Sequence, residues 1–124
     1  MAKKFVIFGA ILAMLAVAFG AFGAHILKDI LTADQLANWE TAVKYQMYHA
    51  LGVLFIGLFV SRKGESSALK WAGNLLVAGT IIFSGSLYVL CLTGIGMLGA
   101  ITPIGGTFMI IGWIMVVIAA KNQL

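Results

Sequence analysis

The chain has 124 residues, of which 62% are hydrophobic and only 10% charged. So few charges cannot cover a water-facing surface, which excludes an ordinary soluble domain and leaves lipid as the main solvent. The net charge of +4 comes from basic residues set singly or in pairs beside apolar runs, so it reads as a topology and head-group signal, not as a nucleic-acid surface.

The first element predicted is a span over residues 5–24. Lys3 and Lys4 precede it, and its 20 charge-free residues are long enough to cross a hydrocarbon core of roughly 30 Å. That length favours a retained helix over a cleaved leader. Gly9, Ala13, Ala16, Gly20 and Gly23 recur at spacings that share one helix face. Small residues on one face let a second helix approach closely, so this stripe is read as a packing seam.

A polar connection follows. Thr32 and Gln35 have the spacing of a capping box, Leu31 and Leu36 that of a hydrophobic staple, and Asp34 falls in the first turn, where the helix dipole favours it. From there Leu36, Trp39, Val43, Met47 and Ala50 form an apolar stripe, with Asn38, Glu40, Thr41 and Lys44 elsewhere. The pattern predicts an amphipathic interfacial helix with Trp39 at head-group depth, running straight into a second span over 43–60.

Ser61 to Ser67 reads as a polar turn, and no charge then appears from Trp71 to Ala120. Those 50 residues exceed one span. The glycine-rich stretch Thr93–Gly99 breaks them, and Thr102-Pro103 reads as a cap with proline at the first helical position. The third span is therefore placed at 68–92 and the fourth at 103–120, with Gly105 and Gly112 as packing positions. The fold expected is all-α: one membrane domain over 1–124, a four-helix transmembrane bundle with the amphipathic helix between its first two spans. Lys3, Lys4, Arg62, Lys63, Lys70 and Lys121 fall on one side of such a bundle, which predicts both termini in the cytoplasm.

That orientation gathers His25, Tyr45, Gln46, His49, Tyr88 and Thr102 as a polar cluster at the outer level. An unpartnered polar group in lipid costs several kcal/mol, at roughly hydrogen-bond scale, so the favoured reading is a hydrogen-bonded plug between helix ends. A sharper reading makes His25, His49 and Cys91, with Met47 or Met97 nearby, ligands for a soft metal such as copper or zinc, though the spacing matches no established metal motif. A proton relay through the histidines is a further alternative. Catalysis is not expected. Ser84-Gly85-Ser86 lacks the pattern of a nucleophile elbow, and Gly105-Gly106 behind Thr102-Pro103 has no basic residue to make an anion site.

Four strings, taken in order, carry a resemblance: Gly20-Ala21-Phe22-Gly23-Ala24-His25; Trp39-Glu40 through Tyr45-Gln46-Met47-Tyr48-His49; Phe83-Ser84-Gly85-Ser86-Leu87-Tyr88; and Gly99 to Gly106 with Gly112-Trp113. Together they resemble the YwdK/YgdD-type small membrane proteins, a family whose domain is of unknown function. The resemblance implies a small multi-pass protein of the plasma membrane, typically bacterial, and implies no activity. The expected function is non-enzymatic, through lipid, assembly or protein partners, and the alternative is a small transporter or channel for metal or protons at His25 and His49. No cofactor is expected. The partners expected are the lipid bilayer and either a second copy or other membrane proteins.

Overall fold

A computed structural model describes all of residues 1–124. The chain is all-helical, with four helices long and apolar enough to cross a membrane. Helix α1 is Ala2–His25, α2 is Ala33–Lys63, α3 is Ser67–Thr93 and α4 is Leu98–Gln123. A 3₁₀ turn, Leu27–Asp29, joins α1 to α2.

Local chemistry sets the ends. At the start of α2 the capping box forms: the Gln35 N–H donates to Thr32 Oγ1 at 3.2 Å, and the Thr32 N–H donates to Gln35 Oε1 at 3.0 Å. At its far end Gly64 takes φ of 90°, open to glycine at no steric cost, and its N–H caps the Val60 carbonyl. Ser66 then caps α3 by accepting the Leu69 N–H at 3.2 Å. Helix α3 ends on Gly94 in the left-handed region, whose N–H returns to the Leu90 carbonyl.

As expected, the amphipathic stretch runs straight into the second span, and the two are one helix of 31 residues, about 46 Å long at ~1.5 Å per residue. Its apolar stripe turns toward the other helices, where Trp39 is buried. One sequence expectation needs correcting. The fourth helix begins at Leu98, five residues before Pro103. Pro103 is therefore the sixth residue of α4, past the unpartnered first N–H groups, and its missing N–H removes one bond, to the Gly99 carbonyl. Here the N–H groups of Leu98, Gly99 and Ala100 bond to the carbonyls of Ile95, Gly96 and Met97, which closes a tight first turn upstream of Pro103.

The helices are not arranged as a closed ring. α1 packs on α2, α2 on α3 and α3 on α4, while α1 and α4 share no packed interface. Half of the membrane-length part of α2 is buried, but only 17% of that of α1 and of α4. α2 and α3 thus form the centre, and two long apolar helices flank it with most of their surface outward.

Glycines set how closely these helices approach. A Cβ on Gly9 would lie 2.9 Å from the Ala50 carbonyl oxygen, and one on Gly112 would lie 2.8 Å from Leu76 Cδ2. Gly105 backs onto the main chain of Gly79 and Phe83. Gly73 makes room for the ring of Phe5, which is fully buried. The α1–α2 and α3–α4 pairs are therefore each closed by backbone-to-backbone contact, the geometry that drives helix association in lipid.

Met1, the α2–α3 link and the end of α4 meet at one end of the molecule. The Met1 amine pairs with Glu65 at 3.3 Å, and Ser66 Oγ donates to Gln123 Oε1 at 2.6 Å.

Candidate functional site

Polar side chains inside a membrane bundle must bond within it, because no water is at hand. In this chain most of them form ties between helices.

The first tie joins α1, α2 and α3. Gln46 Nε2 donates to the Leu12 carbonyl at 2.8 Å, and Gln46 Oε1 accepts the Tyr88 hydroxyl at 2.6 Å. The Tyr88 ring lies 4.6 Å from that of Trp39 and 5.0 Å from that of Phe19. Trp39 Nε1 donates to the Phe19 carbonyl at 2.9 Å. Gly23 permits this, since a Cβ there would stand 2.6 Å from Trp39 Cδ1.

The second tie joins α2 and α4. Trp113 Nε1 donates to His49 Nε2 at 3.0 Å, and His49 Nδ1 meets the Tyr45 carbonyl at 2.7 Å. An indole nitrogen can only donate, so His49 Nε2 must be the acceptor and the ring proton sits on Nδ1, facing the carbonyl. The Tyr45 ring stacks on the imidazole at 6.1 Å and lies 4.7 Å from Phe83.

Smaller ties complete the set. Ser84 Oγ donates to the Ala42 carbonyl at 2.7 Å, linking α3 to α2. Ser86 and Thr102 share a 2.6 Å bond between α3 and α4. Cys91 Sγ donates to the Gln35 carbonyl at 3.1 Å, beside Leu27 and Trp39. At the basic end, Lys4 Nζ donates to Asn74 Oδ1 at 2.8 Å. No buried side-chain nitrogen or oxygen is left without a partner.

The six residues expected as one outer cluster are thus distributed. Gln46 meets Tyr88, Tyr45 meets His49, and Thr102 goes to Ser86. His25 stands apart and exposed at the last position of α1. His49 is near the middle of the 31-residue α2, not at the level of His25. His25 closes α1, whereas the α1 residues opposite the His49 region of α2 lie well before that end, with Gln46 bonded to Leu12 and Gly9 against Ala50.

The trio His25, His49 and Cys91 is not drawn together, and nowhere do three histidine, cysteine or acidic side chains converge. Both nitrogens of His49 are engaged by Tyr45 and Trp113. Sequence reasoning missed Trp113 as the partner of His49. The available signal was the indole N–H itself, which needs an acceptor when half-buried in an apolar helix.

The recesses of the molecule are grooves between helices. One of about 350 Å³ is lined by Phe8, Ile11, Leu12, Leu15, Val77 and Ile81, all apolar. Another of about 430 Å³ is lined by Ala18, Phe19, Phe22, Trp39 and Leu92.

Comparison with known proteins agrees with a membrane protein. Residues 19–106 match the family model described as a protein of unknown function, DUF423. A UPF0382 membrane protein of Staphylococcus epidermidis is 55% identical over 118 residues, covering 94% of each chain. One from Staphylococcus saprophyticus is 54% identical over 117 residues, covering 94% of this chain and 95% of the relative. The UPF0382 membrane protein YwdK of Bacillus subtilis is 48% identical over 122 residues, covering 98% of this chain and 99% of the relative. No solved structure matches.

Proposed function

The chain belongs to the DUF423 family of membrane proteins, UPF0382, and from that premise we propose that it is a non-enzymatic, multi-pass protein of the plasma membrane acting through its lateral surface. Lipid, a second copy or another membrane protein is held against the outer helices, and both termini face the cytoplasm. One observation carries this reading. Every buried polar side chain is bonded within the protein, and of the six all but Thr80 tie one helix to another, whereas α1 and α4 turn long apolar faces outward. Groups consumed in ties between helices are not free to line a path or to hold a reacting atom. The orientation is supported by the basic residues, since Lys3, Lys4, Arg62, Lys63 and Lys121 all belong to the end where Met1 meets Glu65.

The test is reconstitution of the purified chain in liposomes with ion-sensitive dyes for protons, copper and zinc, alongside native mass spectrometry of the protein from its own membrane. The reading expects no flux above empty liposomes and co-purified lipid or protein chains. Flux that disappears in His49→Ala, with the fold retained, would replace it with a transporter.

A further inference from the structure

On α2, Phe55, Leu58, Phe59 and Arg62 lie at spacings of three and four and so share one face, and Lys63 follows Phe59 by four. With Leu124 these residues line a groove of about 220 Å³ at the basic end of the molecule. Among them Phe59 is buried and set edge to face against Phe55 at 6.0 Å, and Leu58 is half-exposed. Arg62 and Lys63 are both exposed, and neither is in an ion pair. The nearby carboxylate in sequence, Glu65, is occupied by the Met1 amine at 3.3 Å. Lys4 at the same end is engaged by Asn74, which leaves Arg62 and Lys63 as two adjacent cations with no protein partner on top of an apolar wall.

We propose that this groove holds an anionic glycerophospholipid, with an acyl chain against Phe55, Leu58 and Phe59 and the phosphate between Arg62 and Lys63. The charges call for an anion, and guanidinium offers a planar fork suited to phosphate. The apolar wall directly below them calls for a chain attached to that anion, which a soluble phosphate lacks. Basic recesses between membrane helices at the lipid surface suit such head groups. The site rests on the lateral-surface reading only in taking lipid as a ligand.

The experiment is native mass spectrometry of the delipidated full chain, titrated with phosphatidylglycerol or phosphatidylcholine of identical acyl chains. The wild type is expected to retain the anionic lipid roughly twenty-five-fold better, at about fivefold for each of the two cations. R62Q/K63Q is expected to lose that preference while keeping its melting temperature, whereas K70Q/K121Q, which removes equal charge from the same end, keeps it. Phe55→Ala weakens both lipids and leaves the preference. Glycerophosphoglycerol without acyl chains fails to compete. Equal retention of both lipids by the wild type, an equal loss in K70Q/K121Q, or full competition by the bare head group would each overturn the site. A wild type indifferent to lipid charge that still assembles with itself sinks the site and leaves the lateral-surface reading standing. Flux dependent on His49 sinks that reading and leaves lipid preference as the measure of the site.

Discussion

Trp113 of α4 gives its indole proton to Nε2 of His49 on α2, across 3.0 Å, and this is a direct polar bond between two helices that otherwise touch little. Trp113→Phe keeps the ring and removes the donor, which strands a lone pair inside the bundle. Hydrogen bonds between membrane helices average about 0.6 kcal/mol and reach roughly 1.7. A loss near the upper value, about 1–2 kcal/mol, is expected here because His49 has no water to turn to. A double-mutant cycle of W113F with H49A, read by thermal unfolding in detergent, should show coupling of about 1 kcal/mol. Strict additivity would mean the bond contributes nothing.

Two glycines of the third and fourth helices should behave oppositely. A methyl on Gly105 meets the backbone of Phe83 and Gly79, neither of which can rotate away, so Gly105→Ala should cost about 1–3 kcal/mol through forced separation of α3 and α4. Gly85 has nothing within 4 Å, so Gly85→Ala should be neutral or stabilise by roughly 0.5–1 kcal/mol through helix propensity. Gly20 is intermediate, since its methyl would find only Val43 Cγ1, at 3.3 Å, and a side-chain methyl can yield. Unfolding curves of the three alanine variants should rank in that order, and a Gly85 variant as damaged as the Gly105 one would refute the contact assignment.

Metal content should be the same in wild type and in H25A/H49A/C91A. His49 has both ring nitrogens engaged, Cys91 faces the Gln35 carbonyl, and His25 is at the exposed end of α1. Elemental analysis after purification without chelators checks this. One equivalent of copper or zinc present in the wild type and missing from the triple variant would restore the ligand reading.

Sidedness can be read with single cysteines on a Cys91→Ala background. Ser67→Cys, in the first turn of α3, should react with an impermeant maleimide only after permeabilisation. Gly96→Cys, in the open turn between α3 and α4, should react in intact cells, and its added Cβ meets nothing within 4 Å. Reversed labelling would invert the assigned orientation.

The four helices and the capping box at Thr32 could be read from the chain because each depends on residues close in sequence. Apolar length, a threonine three before a glutamine, and glycines past a helix end act locally. Which helix each side chain would meet could not be read so. Trp39 carries the ordinary mark of an interfacial residue, and only Gly23, sixteen positions earlier, makes a cavity that admits it to the interior. Counting from assumed span ends puts His25 and His49 on one level, whereas the packing of α1 on α2 sets the His49 region opposite Gly9 and Leu12, far from His25. Pro103 misled because a bonded turn, Leu98 to Ala100, already stands upstream of it, so the proline lies inside α4 at the loss of one bond, to the Gly99 carbonyl.

The absence of a shared face between α1 and α4 bears on how the molecule is made. Each glycine-closed pair consists of neighbours along the chain, so the α1–α2 hairpin can settle in the bilayer while the ribosome is still adding residues of α3. Nothing at the end of synthesis has to reach back and seal against the beginning. Biogenesis can thus proceed as two successive hairpin insertions followed by one lateral docking along α2 and α3.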